Sequence, residues 1–250
     1  MATKLEIEIK NIEEFVKNIG FLKTRMEEEG AKEDFLFRGQ QKDWPLLPKL
    51  ARLELKAGIV KTEKLIFEEF KRASRPYIEF KPDDDWELLA LAQHHGLPTR
   101  LLDWTSNALA ALWFTVCEPP KTTKKDENQY GVVWLFIPAT EDYKKDTQEY
   151  TPFNNPKTKV FRPKVISRRI SAQVGAFTVH KINRGGRVVK LERHAGYRRK
   201  LVKIKIPFSR YKSIRHGLNM LGVNNATLFP EMDGVCSHLE WRYSYYEDEI

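Results

Sequence analysis

The residues of this chain that are best suited to chemistry crowd into one short stretch. Its twelve positions include two histidines, an arginine and an aspartate: Gln93, His94, His95, Thr99, Arg100, Asp103 and Trp104. A turn that only connects two elements does not require this set, so the stretch predicts a binding or catalytic site. Adjacent histidines on a helix point about 100° apart, and no cysteine or acid pattern completes a zinc site, so we expect no metal.

A second group of candidate residues lies upstream, at 38–40. Arg38 ends a short apolar strand, and Gly39 beside it has no side chain to keep a ligand from the backbone. An arginine in this place suits a bidentate contact with phosphate or carboxylate, and a structural salt bridge is the alternative. Gln40 either orients a ligand amide or stabilises a turn.

The elements that position the central stretch follow from its hydrophobic spacing. Apolar residues between Trp86 and His95 predict a helix, with Asp84 and Glu87 as a capping box and Gly96 as its stop. Thr99 to Asp103 predicts a short buried strand. Either Arg100 pairs with Asp103, or Asp103 serves a ligand at the junction between this strand and the next helix.

The rest of the chain predicts an α+β fold. Thr105 or Ser106 is predicted to cap the helix after the central strand, with Leu109, Leu112, Trp113 and Val116 facing the core. Because strands are scattered among helices without regular alternation, we expect a mixed or antiparallel sheet with helices inserted between strands. Further strands are predicted at 4–10, 35–37, 130–137, 170–180 and 201–206, further helices at 11–30, 62–74, 209–221 and 230–241, and a mobile surface loop at 139–159.

Composition bounds the class of protein. With 250 residues, 41% of them hydrophobic, and six tryptophans, the chain can bury a sizeable core and is not disordered. The domain is predicted at 35–250, after a strand–helix extension at 1–34. No signal peptide and no apolar run of about 18 residues is recognisable, so no membrane is expected. Two cysteines make no disulfide framework, which favours the cytoplasm.

Positive charge is concentrated in one part of the sequence. Residues 157–216 contain 19 of the 43 lysines and arginines but one acid, Glu192, among the 34 of the chain. Such a block commonly contacts phosphates, and we expect Arg198, Arg199 and Lys200 to contact nucleic acid. The alternative is a solvated sheet face on which lysines protect the edges.

Three motifs carry a resemblance to a known family. The central LALAQHHGLPTRLLDWTSNALAALWF, the upstream FLFRGQ at 35–40 and the downstream LFPEMDG at 228–234 closely resemble the FRG domain. That family is named for its Phe-Arg-Gly signature, here Phe37, Arg38 and Gly39. The resemblance spans about Phe35 to Leu239 and leaves the chemistry to be argued from the residues.

The order of the elements also resembles, less specifically, that of ADP-ribosyltransferases. In that class an arginine or histidine ends the first core strand, hydroxyl residues begin a later helix, and a further strand bears a catalytic glutamate. Arg38, Thr105 with Ser106, and Gln173 fall in that order, which implies NAD as substrate. Because glutamine carries no charge to stabilise an oxocarbenium ion, Asp103, Glu231 or Asp233 must replace it, or the nucleotide is bound without transfer.

The sequence therefore predicts an NAD-binding, ADP-ribosyltransferase-like protein that acts on an acidic macromolecule such as nucleic acid, in bacterial defence or toxin systems. The alternative is a non-catalytic nucleic-acid or nucleotide-binding module. No Ser/His/Asp pattern supports a hydrolase. The candidate catalytic residues are Arg38, Asp103, Gln173 and Glu231, and the candidate NAD-binding residues are Arg38, Gly39, Gln40, His94, His95, Thr99, Arg100, Trp104, Thr105 and Ser106.

Overall fold

The computed structural model describes residues 5–28, 35–78, 82–120, 129–145, 150–164 and 175–250. Within them a seven-stranded mixed sheet forms the core, which confirms the α+β class. The strands lie side by side in the order β1-β7-β4-β2-β3-β6-β5, with β1 and β7 parallel and the other pairs antiparallel. Their bounds are β1 Leu5–Glu8, β2 Leu36–Gln40, β3 Leu101–Thr105, β4 Tyr130–Phe136, β5 Lys159–Phe161, β6 Gly175–Val179 and β7 Leu201–Pro207.

Helices are interspersed among these strands: α1 Ile12–Glu28, α2 Ile59–Ala73, α3 Asp85–His94, α4 Ala108–Val116, α5 Tyr211–Met220, α6 Asn225–Leu228 and α7 Met232–Tyr243. The sequence predicts all of them to within a few residues except α6, and it also misses β5. None of the helices in the described residues is both long and apolar enough to cross a bilayer.

The two faces of the sheet have different covers. Buried side chains of α1, α4 and α5, among them Phe15, Trp113 and Ile214, pack on one face. On the other face, Leu191 and Tyr197 from the segment before β7 pack over β2, β4 and the start of β7. Since β1 extends the sheet and α1 contributes to the first core, residues 5–28 are part of the same fold. The domain boundary at residue 34 stays a prediction.

The ends of the helices around the central strand were predicted with mixed success. The Asp84 carboxylate accepts hydrogen bonds from the backbone N of Trp86 and of Glu87, both at 2.9 Å, so it caps α3 as predicted. Gly96 ends α3 with a φ of 82°. The capping box was wrong, because Glu87 accepts instead from the backbone N of Lys164, 77 positions away.

The cap of α4 was also wrong. Neither Thr105 nor Ser106 caps it: Asn107 does, through a 3.0 Å bond from the backbone N of Ala110 to its Oδ1. Thr105 is the last residue of β3 and accepts a bond from the backbone N of Asn107. Thr105, Ser106 and Asn107 are all good N-cap residues, so N-cap propensity alone could not decide which of the three caps α4.

The surface loop predicted at 139–159 is, in its described part, packed against the body of the protein. Tyr143 forms a bridge to Val160, and the side chain of Asp142 is bonded to Lys200. Pro152 is buried, and its carbonyl oxygen accepts a bond from Arg100 at 2.9 Å. These ties are polar and join residues far apart in sequence, so a search for hydrophobic spacing does not detect them.

Candidate functional site

A cavity opens where β2 and β3 separate. Within the described residues these neighbouring strands are paired through Phe37 and Thr105 alone, whereas β2 pairs with β4 along five residues. The cavity beside this seam has a volume of about 600 Å³. Its walls include Arg38, Gly39 and Gln40 of β2, Asp103, Trp104 and Thr105 of β3, and Gln93 and His94 of α3.

Arg38 reaches across the seam from β2 to β3. Its Nη1 donates to the backbone oxygen of Asp103 at 3.0 Å and lies 3.5 Å from the Asp103 carboxylate. Its Nε is buried and has no hydrogen-bond partner among the residues that the structure describes. A buried guanidinium donor without an acceptor is costly, so this side chain is set up to receive an acceptor from outside.

The Asp103 carboxylate is fixed on the cavity wall by Gln93. The Gln93 amide donates to both carboxylate oxygens, at 3.1 and 3.0 Å. Thr99 donates its hydroxyl to the Gln93 carbonyl oxygen at 2.6 Å, which sets the direction of that amide. The Asp103 side chain nevertheless stays 55% exposed. A carboxylate that is held in place and still open to solvent is available to a ligand.

A second cation, Arg52, shares the cavity with Arg38. Burial lowers the pKa of Arg38, the neighbouring charge of Arg52 lowers this pKa further, and Asp103 opposes both effects. Two like charges that converge on one cavity repel each other, and an anion between them offsets that repulsion. The site therefore has the charge arrangement of a phosphate or carboxylate binder.

The remaining walls are largely apolar and aromatic. Trp44, Phe114 and Phe229 line the cavity together with the thiol of Cys117. Burial raises the pKa of Cys117 to about 11, so the thiol is protonated at neutral pH and is a poor nucleophile. Flat rings near charged groups are typical of sites that hold the base of a nucleotide.

The structure requires a glycine at position 39 for a reason that the sequence did not suggest. A β-carbon at this position would lie 1.9 Å from the backbone oxygen of Ala111 in α4. The glycine is therefore required for close packing of α4 on β2, rather than only for the approach of a ligand. Gln40 is also engaged structurally, since its Oε1 accepts a 3.0 Å bond from the indole of Trp134.

Several predicted site residues lie away from the cavity. Arg100 is buried in an ion pair with Glu63, so the alternative in which it pairs with Asp103 is wrong. His95 is exposed after the end of α3, with its ring edge-on to that of His94. The Thr99 hydroxyl bonds to Gln93 and to the backbone N of Leu101.

Two further candidates, Ser106 and Glu231, lie at other surfaces, and a third falls outside the described residues. Ser106 lines a separate groove together with Val16 of α1. Glu231 is exposed just before α7, two residues beyond Phe229 of the cavity wall. Gln173 lies outside the described residues.

The three residues nominated for nucleic-acid contact have different environments. Arg198 and Arg199 are exposed. Lys200 is partly buried and bonded to Asp142, with Glu141 at 3.8 Å. Its charge is therefore already compensated within the fold. No group of three or more His, Cys, Asp or Glu side chains in the described part of the chain could hold a metal ion.

The cavity also contains residues that the sequence analysis did not single out: Trp44, Arg52, Phe114, Cys117 and Phe229. Some of them left a signal. Phe114 stands within the central motif, Phe229 within the LFPEMDG motif, and Trp44 follows FRGQ by four positions. Arg52 has no local signal, because only the fold brings its segment to the cavity.

Fold and site together define an α+β protein with a polar, two-cation cavity at a seam of its sheet. Residues 33–124 match the family model of the FRG domain, so the chain carries an FRG domain over that stretch, which includes β2, β3 and most of the cavity wall. The match is shorter than the resemblance read from the motifs, and the extension to Leu239 stays a prediction. No curated protein and no solved structure matches this chain.

Proposed function

We propose that the cavity binds NAD or a closely related nucleotide, with Arg38 and Arg52 contacting its phosphates. The observation that carries this proposal is the Arg38 guanidinium, whose buried Nε lacks a partner among the described residues and which has a second cation nearby. A pyrophosphate supplies acceptors in the paired geometry that a guanidinium prefers, and its negative charge offsets the repulsion between the two arginines.

The size and the walls of the cavity support a nucleotide rather than a bare anion. About 600 Å³ lies within the range of sites for small organic ligands, and a single phosphate would leave most of it empty. Trp44, Phe114 and Phe229 offer aromatic surface to a base or a nicotinamide ring.

Asp103 is the group that would act on the ribose. In glycosyl transfer from NAD, the bond between the ribose carbon and the nicotinamide nitrogen breaks, and neutral nicotinamide leaves with the bonding electrons. Positive charge develops on the ribose, and a fixed carboxylate nearby stabilises it. The acceptor oxygen then forms the new bond and loses its proton. Gln93 would act as a positioning residue, since it holds both oxygens of Asp103.

A second candidate function is nucleotide binding without transfer. It is favoured by the composition of the cavity wall. Among the described residues that line the cavity, Asp103 is the one acidic side chain, and no glutamate accompanies it. A single aspartate that also neighbours Arg38 is well placed to bind ribose hydroxyls. Both candidates require the same phosphate contacts, so they differ only in turnover.

The test is calorimetric titration of NAD into wild type, Arg38→Ala and Arg72→Ala. Arg72 is an exposed arginine of α2 paired with Glu69, so it controls for loss of one positive charge. We expect binding by wild type and Arg72→Ala and loss of binding by Arg38→Ala. Chromatographic detection of nicotinamide in the same samples separates transfer from binding alone.

Each outcome has a definite meaning. If wild type shows no affinity at millimolar NAD, the proposal fails. If NAD binds but Arg38→Ala binds it equally well, the ligand lies outside this cavity. If NAD binds and no nicotinamide is released, the second candidate function replaces the first.

A further inference from the structure

Residues 181–199 form an ordered, strongly basic loop on the sheet face opposite α1. Ile182 pairs with Val188 across a tight turn, in which the backbone N of Gly186 donates to Asn183 at 2.9 Å. The φ of Gly186 is 72°, a conformation that favours glycine. This hairpin is followed by a helical turn at 191–193, so the charged side chains are carried on a folded surface.

Buried anchors hold this basic loop to the body. Leu191 and Tyr197 are buried in the core on this face, and the Tyr197 hydroxyl donates to the backbone oxygen of Thr158. The backbone N of Leu191 also donates to the oxygen of Leu46 at 3.1 Å. Because these buried contacts hold the loop in place before binding, the entropic cost of binding a large partner is lower.

The charge of the basic loop is uncompensated. It carries Lys181, Arg184, Arg187, Lys190, Arg193, Arg198 and Arg199, and none of the seven has an acidic partner among the described residues. Its one acid, Glu192, accepts a bond from the backbone N of Leu46 and so serves the anchor. Such an excess raises a positive potential over this surface.

Other lysines and arginines of the basic segment 157–216 are neutralised instead. Lys203 is bonded to Asp43, Lys205 lies 2.6 Å from Glu6, and Arg215 is paired with both Asp248 and Glu249. The acids come from distant parts of the sequence, so the charge count along the chain overstates the basic area. Seven described cations without an acidic partner thus lie together in the basic loop.

The basic loop borders the cavity. Leu46, which contacts it through two hydrogen bonds, stands between Pro45 and Leu47, and both of these line the cavity. A long polyanion held on the basic loop would therefore lie near the part of the cavity wall formed by Pro45 and Leu47. A small nucleotide in the cavity would not occupy the loop.

We propose that the basic loop binds the phosphate backbone of nucleic acid, independently of sequence, and brings the strand beside the cavity. Five of its seven cations are arginines, which suit phosphate geometry. Among the described residues of the basic loop, Val189 is the one large apolar side chain that is exposed. The loop therefore offers little apolar surface for insertion into a membrane. Tyr197 is buried, so the loop offers no exposed Phe, Tyr or Trp ring for base stacking, which favours contacts with the backbone. The role of the strand as acceptor rests on the proposed function, but its binding does not.

The experiment is fluorescence anisotropy with labelled single-stranded RNA and duplex DNA, on wild type, Arg184→Glu/Arg187→Glu and Lys17→Glu/Arg210→Glu. The control pair makes the same charge change outside the loop, at exposed positions on α1 and before α5, which cover the other face. With about four phosphates contacted, the wild-type Kd should rise roughly 50-fold for the single-stranded RNA and roughly 150-fold for the duplex DNA between about 50 and 200 mM salt. The loop variant should weaken binding at least tenfold, and the control variant less than threefold, as expected for the loss of about two phosphate contacts against none.

The opposite results are equally clear. Affinity that does not change with salt, or equal binding by loop variant and wild type, would overturn the proposal. Binding to vesicles that contain anionic lipid, without binding to either oligonucleotide, would replace nucleic acid by a membrane surface. NAD titration of the loop variant and oligonucleotide titration of Arg38→Ala keep this proposal separate from the proposed function, because each variant should retain the other ligand.

Discussion

Arg100 forms its ion pair with Glu63, 37 positions away along the chain, and not with Asp103, which is three positions away. Arg100 Nε donates to Glu63 at 2.7 Å, a second bond joins Nη2 to the other carboxylate oxygen, and both side chains are buried. Nη1 of Arg100 donates to the carbonyl oxygen of Pro152. This arginine is therefore structural, and Asp103 is left for the cavity.

The first prediction concerns this buried pair. Glu63→Gln or Arg100→Met should each lower the free energy of unfolding by about 3–5 kcal/mol, because each leaves a buried group without its partner. The double variant Glu63→Leu/Arg100→Met should recover part of the loss. Urea denaturation of the three variants measures this. Asp103→Asn is the comparison: it should leave the unfolding free energy nearly unchanged and abolish nicotinamide release. A large loss of stability in Asp103→Asn would make that residue structural.

The second prediction concerns the geometry of Arg38. Arg38→Lys keeps the positive charge and loses the paired donors, so it should weaken NAD binding by about 1.5–3 kcal/mol, the scale of a hydrogen bond to a charged group. Calorimetry measures the change. Equal affinity of lysine and arginine at this position would mean that charge alone, and not the guanidinium fork, binds the ligand.

The third prediction compares two glycines. Gly39→Ala should destabilise the protein by roughly 1–3 kcal/mol, because its β-carbon would lie 1.9 Å from the backbone oxygen of Ala111 and must push α4 away from β2. Gly20→Ala is the matched control, since Gly20 lies inside α1 and the new carbon would meet no atom beyond its own helix backbone within 4 Å. It should stabilise by about 0.5–1 kcal/mol. Thermal melts of both variants decide the point, and tolerance of Gly39→Ala would refute the packing argument.

The fourth prediction concerns acid stability. Burial lowers the pKa of His180 from 6.5 to about 3, opposed by its bond to the backbone of Val189. Below pH 6.5 the unfolded chain therefore binds a proton that the folded protein does not, so stability falls as pH falls. Below the unfolded-state pKa, this residue alone should lower the free energy of unfolding by about 1.4 kcal/mol for each pH unit.

The measurement for His180 is urea denaturation between neutral pH and pH 4.5, with His180→Gln for comparison. The variant should be less stable at neutral pH, since the 3.2 Å contact between Thr178 and the imidazole is lost. Its stability should fall less steeply with acid than that of the wild type. Parallel curves for the two proteins would show that the pKa of His180 is not lowered by folding.

Local sequence patterns were sufficient for most of the elements and for the FRG signature. Helices such as α1 and α3 follow from spacing and caps that lie within a few residues of each other. The strand β4 follows from one apolar run. The motifs also pointed to Arg38 and Asp103, although the structure places each in the middle of its strand, β2 or β3, and not at a strand end as predicted.

Only the tertiary structure decided which charged groups form ion pairs. Arg100 could pair with a neighbour or with a distant acid, and burial of Glu63 beside it selected the distant one. Lys203 and Lys205 are neutralised by remote acids, whereas Lys181 and Lys190 of the basic loop have no acidic partner among the described residues. Ion pairs act over a few ångströms in space and carry no periodicity along the chain, so their partners become known only when the chain is folded.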